Sequence, residues 1–431
     1  PAIDAVNTAA TEKIAAINAT PNATDEEKAA AIAKVNADKT AALTAINDAT
    51  AKDALDQAQN NGTTAISADN PVVAKKDAAK ADVEAARKAK EDAIKADTNL
   101  TQAEKDAAIA KNNTAAAEAT KAIDAATTND AVDQAKTAGT TAIGKVNPVA
   151  KENAKEAIAN ALTDKNSEID KRTDLTNAEK TAAKAEAQKL ADAELAKINA
   201  QPDNAETADA AAAAQKIVDG AEDKGVGDVT SVNPVAKEAA KKAVADELTK
   251  KEEQIDARTD LTTEEKAAAK AEAKAKAKEA TDAIDAQPAI TDSADKATAA
   301  QKAVDAAKDK GVADVKSVDP VATKKPAAKK AIDDALTAKN NEIDARTDLT
   351  PEEKTKAKEI AKAKADAAKV AVDKATTNAE VDKAKTDGTT AVANVTPVAK
   401  EAAKKAVADE LAKKEAEIDA RTDLTQEEKD A

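Results

Sequence analysis

Arginines and carboxylates recur together in one short segment and are the first candidates for chemistry. Four of the five arginines lie in an Asp-x-Arg-Thr-Asp-Leu-Thr sequence: Arg172, Arg258, Arg346 and Arg421. One hypothesis is a repeated recognition loop. The other is that each arginine pairs with flanking acids such as Asp256 and Asp260 and fixes a turn, a type of exposed pair that contributes ~0–1 kcal/mol. Recurrence in one copy after another favours the structural role.

The rest of the composition removes most catalytic chemistry. The 431 residues include no Cys, His, Met, Trp, Tyr or Phe, so thiol nucleophiles, imidazole bases, soft-metal ligand sets and aromatic stacking platforms are missing. Carboxylates are plentiful, but acid/base catalysis needs a partly dry pocket, and no segment has the ligand spacing of an EF-hand. We therefore expect no enzyme, and no catalytic, cofactor-binding or metal-binding residues.

Charge and hydropathy limit the partners. The net charge is −15, with 66 basic and 81 acidic residues, which argues against binding a phosphate backbone. No apolar run approaches the ~20 residues of a membrane-spanning helix. We expect neither nucleic-acid binding nor membrane insertion.

Internal repetition dominates the sequence. A short polar residue followed by Pro-Val recurs with prolines 77 or 86 residues apart, at Pro71, Pro148, Pro234, Pro320 and Pro397. Asn, Asp or Thr before a proline is typical of a helix start, with proline at the first helical position. The pattern predicts that the first helix of each repeat begins there.

The first two helices of each repeat are marked by aliphatic spacing and by capping residues. The first helix has aliphatic residues at steps of +4, +7 and +6, in the sets Ile158, Leu162, Ile169, Leu175; Val244, Leu248, Ile255, Leu261; Ile332, Leu336, Ile343, Leu349; and Val407, Leu411, Ile418, Leu424. Steps of 4 and 7 share one helical face. A second helix opens with a Thr-x-x-Glu capping box, at Thr24/Glu27, Thr101/Glu104, Thr176/Glu179, Thr262/Glu265, Thr350/Glu353 and Thr425/Glu428.

The third helix contains a fixed glycine, at Gly62, Gly139, Gly225, Gly311 and Gly388. Aliphatic residues seven before and four after it place the glycine on the buried face of one uninterrupted helix. We expect it to let a neighbouring helix approach closely, at a cost of ~1 kcal/mol in helix propensity; a kink is the alternative. In two copies 11 extra residues separate the capping threonine from the glycine, an insertion that keeps helical phase and predicts a longer third helix.

Three helices joined by two turns predict an all-α chain of tandem antiparallel three-helix bundles, stacked end to end into an elongated rod. We predict repeats at 1–70 (first helix truncated), 71–147, 148–233 and 234–319 (the two long variants), 320–396, and a partial repeat at 397–431. Helices of ~25 residues are ~37 Å long, so the rod would be on the order of 200 Å.

These motifs resemble a known family. The segment from Ala375 through Thr390, its copy at 126–141, and the Asp-Leu-Thr-x-x-Glu-Lys segments are similar to the alanine-rich repeats of unknown function in giant cell-wall-anchored proteins of Gram-positive bacteria, of the extracellular-matrix-binding-protein-homologue type. The resemblance implies a surface-exposed, cell-wall-anchored protein linked to attachment, aggregation and biofilm formation, with its signal peptide and anchor outside this segment. It brings no catalytic residues.

Two functions follow as hypotheses. The first is a structural stalk, a monomeric rod that holds a functional head away from the cell wall. The second is a multivalent module that binds host matrix or serum proteins or neighbouring cells weakly at each repeat. An intracellular coiled-coil scaffold is a third alternative, disfavoured by the short, capped helices.

Overall fold

The chain folds into helical bundles, as the computed structural model of all 431 residues shows. It contains seventeen α-helices and four two-residue β-strands. Contacts divide it into two compact units, one of Pro1–Arg172 and Lys180–Asn233, the other of Thr173–Glu179 and Pro234–Ala431. The all-α prediction is confirmed.

Each complete repeat contributes three consecutive helices, which pack on one another. The first helices are α1 (Ala2–Asn18), α4 (Lys75–Ala96), α7 (Glu152–Lys171), α10 (Glu238–Ala257) and α13 (Lys324–Ala345). The second helices are α2 (Asp25–Asp48), α5 (Gln102–Ala125), α8 (Asn177–Asn199), α11 (Thr263–Asp285) and α14 (Pro351–Lys374). The third helices are α3 (Lys52–Ala68), α6 (Asn129–Gly144), α9 (Ala208–Thr230), α12 (Ala294–Lys316) and α15 (Asn378–Ala393). A further first helix, α16 (Glu401–Asp419), precedes the short α17 (Gln426–Asp430).

The predicted aliphatic steps form the cores of the bundles. In the repeat of α10–α12, Val244 is 1% exposed and packs with Ile284, Val304 and Val315. Alanines such as Ala277 fill the remaining buried positions. The core is thin because most inward positions carry a methyl group, so the bundles depend on close approach of their helices.

The fixed glycines allow this approach, and their predicted role is confirmed. Each lies inside one unbroken third helix, and Gly62 and Gly139 are buried there. A β-carbon at Gly139 would fall well inside van der Waals distance of the Ala119 Cβ on the second helix. The backbones of helices 2 and 3 can therefore come this close only where glycine is present.

The start predicted for the first helix is wrong. Helix α7 begins at Glu152, and Pro148 lies in strand β1 (Asn147–Pro148). The Asn147 side chain caps no following helix. Its Nδ2 donates instead to the carbonyl of Gly144 at 2.9 Å, at the end of the preceding third helix. The same displacement holds at the other prolines, where the first helices start four residues after the proline.

The prediction for the long repeats is partly confirmed. Their third helices have 23 residues, against 16 or 17 in the short repeats. The connection before that helix also grows, and it contributes strands that the sequence did not predict: β2 (Asn204–Ala205) pairs antiparallel with β1. Likewise β4 (Ile290–Thr291) pairs with β3 (Asn233–Pro234).

Candidate functional site

The contacts between successive repeats are the most regular polar arrangement in the molecule. They centre on the glutamate of each capping box. In α11, the Thr262 hydroxyl accepts from the Glu265 amide at 3.3 Å, and Glu265 Oε2 accepts from the Thr262 amide at 3.0 Å. The predicted capping boxes are confirmed at all six positions.

The second carboxylate oxygen of the same glutamate reaches the next repeat. Glu265 Oε1 accepts from the backbone amides of Thr323 and Lys324 at 2.9 and 3.0 Å, and from the Thr323 hydroxyl at 2.7 Å. Thr323 and Lys324 form the start of α13, whose own N-cap residue makes no side-chain capping bond. The glutamate thus caps two helices at once. We call this arrangement the clasp.

The clasp recurs with the same atoms at the capping box of every other second helix that is followed by a further first helix. In each case Oε2 bonds the box threonine and Oε1 bonds two consecutive amides of the following first helix. The pairs are Glu27 with Ala74 and Lys75, Glu104 with Lys151 and Glu152, Glu179 with Lys237 and Glu238, and Glu353 with Lys400 and Glu401. These bonds are 2.6–3.1 Å long. Since N-terminal amides carry partial positive charge, an anionic acceptor suits them.

The clasp holds its carboxylates ionised. Burial raises the pKa of Glu265, but the bonds from Thr262, Thr323 and Lys324 outweigh it and lower the pKa to about 2. The same balance lowers the pKa of Glu27, Glu104 and Glu179. For Glu353, the bond from the Glu401 amide is the largest cause of the lowered pKa.

Junctions that lead into a short repeat carry a second set of bonds. The Asp25 amide donates to the Thr127 carbonyl at 2.7 Å, and the Thr24 hydroxyl donates to Asn129 Oδ1 at 2.8 Å. Glu26 accepts from the Asn129 amide at 2.9 Å. The same bonds join Thr262, Thr263 and Glu264 to the Thr376–Asn378 segment. They depend on the Thr-Thr-Asn sequence, whose threonines end the short connection and whose asparagine begins the third helix.

Long repeats fix the linker before their first helix in another way. Gln301 on α12 accepts from the Ala236 amide at 2.9 Å and donates to its carbonyl at 3.1 Å. Gln215 on α9 makes the same pair with Ala150 at 2.8 and 3.1 Å. The longer third helix thus supplies an amide side chain that pairs with the linker.

A lysine at the start of the first helix binds the C-terminal end of the second helix in the same repeat. Lys76 is 5% exposed, and its Nζ donates to the Asp124 carbonyl at 2.7 Å. Lys325 donates to the Asp373 carbonyl at 3.0 Å and to the Thr259 carbonyl of the preceding repeat at 2.8 Å. The last carbonyls of a helix lack partners within it, so these buried ammonium groups satisfy them.

The arginine turns make local ion pairs. Arg258 binds Asp260 through two bonds of 2.7 Å and holds the pKa of that carboxyl at about 2. Arg346 and Arg421 pair in the same way with the aspartate two residues on. The expected pairing with Asp260 is confirmed, whereas Asp256 pairs with Lys270 instead.

Sequence reasoning assigned each capping glutamate to its own helix and missed the clasp. The sequence did contain a signal for this second role of the glutamate. A capping box accepts glutamine as well as glutamate, yet all six copies have glutamate. Glutamine has one acceptor oxygen, and its amide group is a donor, so it cannot accept from two helix starts with two oxygens. The buried lysines and the paired glutamines were also missed.

No group of three or more acidic residues is arranged to hold a metal ion. None of the helices combines the length and apolar character needed to cross a bilayer. What the geometry offers is a series of noncovalent couplings between modules, the organisation of a tandem-repeat protein built from three-helix bundles.

Comparison with known families agrees with this class. The model of a domain of unknown function, DUF1542, matches residues 1–74, 75–151 and 324–400, which together are more than half of the chain. The protein belongs to the DUF1542 family, the alanine-rich three-helix repeat of Gram-positive surface proteins to which the sequence motifs pointed. The three matched ranges are copies with the short connection. No curated protein and no solved structure matches the chain.

Proposed function

We propose that this chain is a structural stalk, a spacer of repeats that holds a functional head of a cell-surface protein away from the cell wall. The clasp carries the proposal. It uses one carboxylate to cap the start of a helix in one repeat and the start of a helix in the next, with bonds of 2.6–3.1 Å to the next helix. A coupling of this kind limits rotation between neighbouring modules, which a spacer needs and a flexible linker lacks.

The proposal includes the repeat limits 1–70, 71–147, 148–233, 234–319, 320–396 and 397–431 and a location outside the cell, anchored to the wall. It also includes the absence of catalysis. Membership of a repeat family found in surface proteins supports the location. The lack of thiol, imidazole and aromatic side chains supports a passive role.

Small-angle X-ray scattering on the purified chain tests the stalk. A rod on the order of 200 Å long, from five stacked bundles of ~36 Å helices, has a radius of gyration of roughly 58 Å. A compact globule of this length would have a radius of gyration of roughly 22 Å. A value close to the second figure would refute the proposal.

Binding to matrix proteins, serum proteins or neighbouring cells is the other function suggested by the sequence. The exposed aliphatic side chains include isolated valines in the linkers, such as Val72 and Val321, which are 76% and 75% exposed. Immobilised chain, exposed to serum, matrix proteins and whole cells, should retain none of them above background. Saturable binding to one isolated repeat would favour the binding module instead.

A further inference from the structure

The residue two positions after the capping threonine differs between junctions, and it differs with the class of the repeat that follows. At the four junctions whose following repeat is complete, glutamate stands before the two short repeats, as Glu26 and Glu264, and alanine stands before the two long ones, as Ala103 and Ala178. All four residues lie in the first turn of a second helix. The local helix start does not explain the difference, because each of these helices begins with the same capping box.

Before a short repeat, the glutamate binds the third helix of that repeat. Glu264 Oε2 accepts from the Asn378 amide at 3.0 Å, and Glu26 Oε2 accepts from the Asn129 amide at 2.9 Å. Asn129 and Asn378 are the first residues of α6 and α15, so their amides have no acceptor within their own helices. The glutamate supplies that acceptor from the preceding repeat.

The capping threonine responds to the same packing. Thr24 and Thr262 are fully buried, and their hydroxyls donate to the first asparagine side chain of the following third helix at 2.8 and 2.7 Å. Before the long repeats, Thr101 and Thr176 are half-buried, and their hydroxyls donate to the glutamates of their own capping boxes at 2.8 Å. A short repeat thus covers the start of the preceding second helix more fully than a long repeat does.

In a long repeat, the same position of the third helix lies inside the helix. Ten residues before the fixed glycine stand Asn129 and Asn378 in the short repeats, but Gln215 and Gln301 in the long ones. Helix α9, for example, begins at Ala208, seven residues before Gln215. The backbone amides of these glutamines are therefore bonded within their own helices, and a glutamate in the preceding repeat would find no free amide there.

Ala103 instead lines an open groove at the junction with a long repeat. Glu152 and Asp203 of that repeat line the same groove. A glutamate in place of Ala103 would face both of these carboxylates, and like charges repel. Alanine therefore suits the junction with this long repeat.

We propose that the residue two positions after the capping threonine selects the class of repeat that docks behind it. Glutamate recognises the free first amide of the third helix in a short repeat, and alanine admits a long repeat. The order of short and long repeats along the chain is therefore specified by single residues of the preceding repeats. This selection concerns the junctions alone and does not depend on the chain being a stalk.

Glu264→Ala in the full chain tests the recognition. Hydrogen exchange of the Asn378 amide should become about fivefold faster, through loss of one bond to a charged acceptor in a partly exposed site. Glu352→Ala is the matched control, because it makes the same change at the same helical position before a repeat of which the chain contains only the first helix. It should leave exchange at Asn378 unchanged. Both glutamates are exposed, so neither change threatens folding.

Ala103→Glu tests the selectivity. In the natural chain the new carboxylate gains no partner, so the Lys151 and Glu152 amides of the clasp should keep their protection or lose up to about threefold. In a chain whose residues 148–233 are replaced by a copy of 320–396, the same substitution should slow exchange of the copied Asn378 amide about fivefold. There, a free third-helix amide lies behind the new glutamate.

The proposal is overturned if Glu264→Ala leaves exchange at Asn378 unchanged, or if Ala103→Glu strengthens the natural junction with the long repeat. It is also overturned if Ala103→Glu fails to protect the copied asparagine amide in the exchanged chain. The first two criteria need only single substitutions of the natural chain, so they decide the matter whether or not the exchanged chain folds.

Discussion

Replacing Glu265 by glutamine should break one clasp while leaving every side chain nearly the same size. The carboxylate accepts from the amide and hydroxyl of Thr262 at its own helix start and accepts three bonds from the next repeat. Glutamine keeps a single acceptor oxygen and turns a donor toward amides that are themselves donors. Either the capping box or the contact with α13 must be lost.

The size of the effect follows from the pKa. Folding lowers the pKa of Glu265 from its ordinary 4.5 to about 2, which corresponds to up to ~3 kcal/mol of preference for the anion. The side chain is only partly buried, and solvent screening reduces this. We expect a loss of about 1–2 kcal/mol at neutral pH, the range of one helix cap.

Native-state hydrogen exchange measures this loss where it occurs, because a global melting temperature is not well defined for an array of modules. The amides of Thr323 and Lys324 should exchange roughly 5–30 times faster in Glu265→Gln, since these factors correspond to 1–2 kcal/mol. Glu428→Gln is the matched control. It alters an identical capping box for which only the bonds to Thr425 are seen.

The pH dependence supplies a second check. Because the folded-state pKa is the lower one, the clasp stabilises fully above pH 4.5 and loses its contribution as the pH falls toward 2. The protection factors of the Thr323 and Lys324 amides, which compare their exchange with the unstructured rate at the same pH, should therefore fall across this window in the wild type and change less in Glu265→Gln. Unchanged exchange at pH 7 in the variant would refute the role assigned to Glu265.

Four further substitutions test the packing and the linker contacts. Gly139→Ala should destabilise its bundle by ~1–3 kcal/mol through overpacking, whereas Gly227→Ala, with nothing within 4 Å of the new methyl group, should stabilise by up to ~1 kcal/mol. Native-state hydrogen exchange of the core amides in the altered bundle distinguishes the two signs. Glu194→Ala should stabilise its bundle by ~1 kcal/mol in the same assay. The Glu194 side chain is buried, at 3% exposure, where the other repeats have alanine, and its lysine partners can turn to solvent once it is removed. A loss of stability would contradict this reasoning. Gln301→Ala should speed exchange at the Ala236 amide about tenfold by removing its acceptor at 2.9 Å. An unchanged rate would show that the pair contributes nothing.

The local features could be predicted from the sequence because their causes lie within one helix. The aliphatic steps identify a buried face from spacing alone, as at Val244 and Ile255. The capping boxes join residues only three apart. The glycines were correctly placed in the helix interior, since aliphatic residues on both sides fix the face they share. Their tight contact was expected from the absence of a side chain.

The tertiary structure decided which groups join one repeat to the next. The second oxygen of Glu265 meets amides 58 and 59 residues away, a distance over which no helical period applies. Asn147 was predicted to start a helix, but its side chain donates to the end of the preceding one. The sequence by itself determined the helices, their inward faces and their number per repeat. How the repeats connect was determined by the packing, because donors and acceptors far apart in the chain find one another only once the bundles have formed.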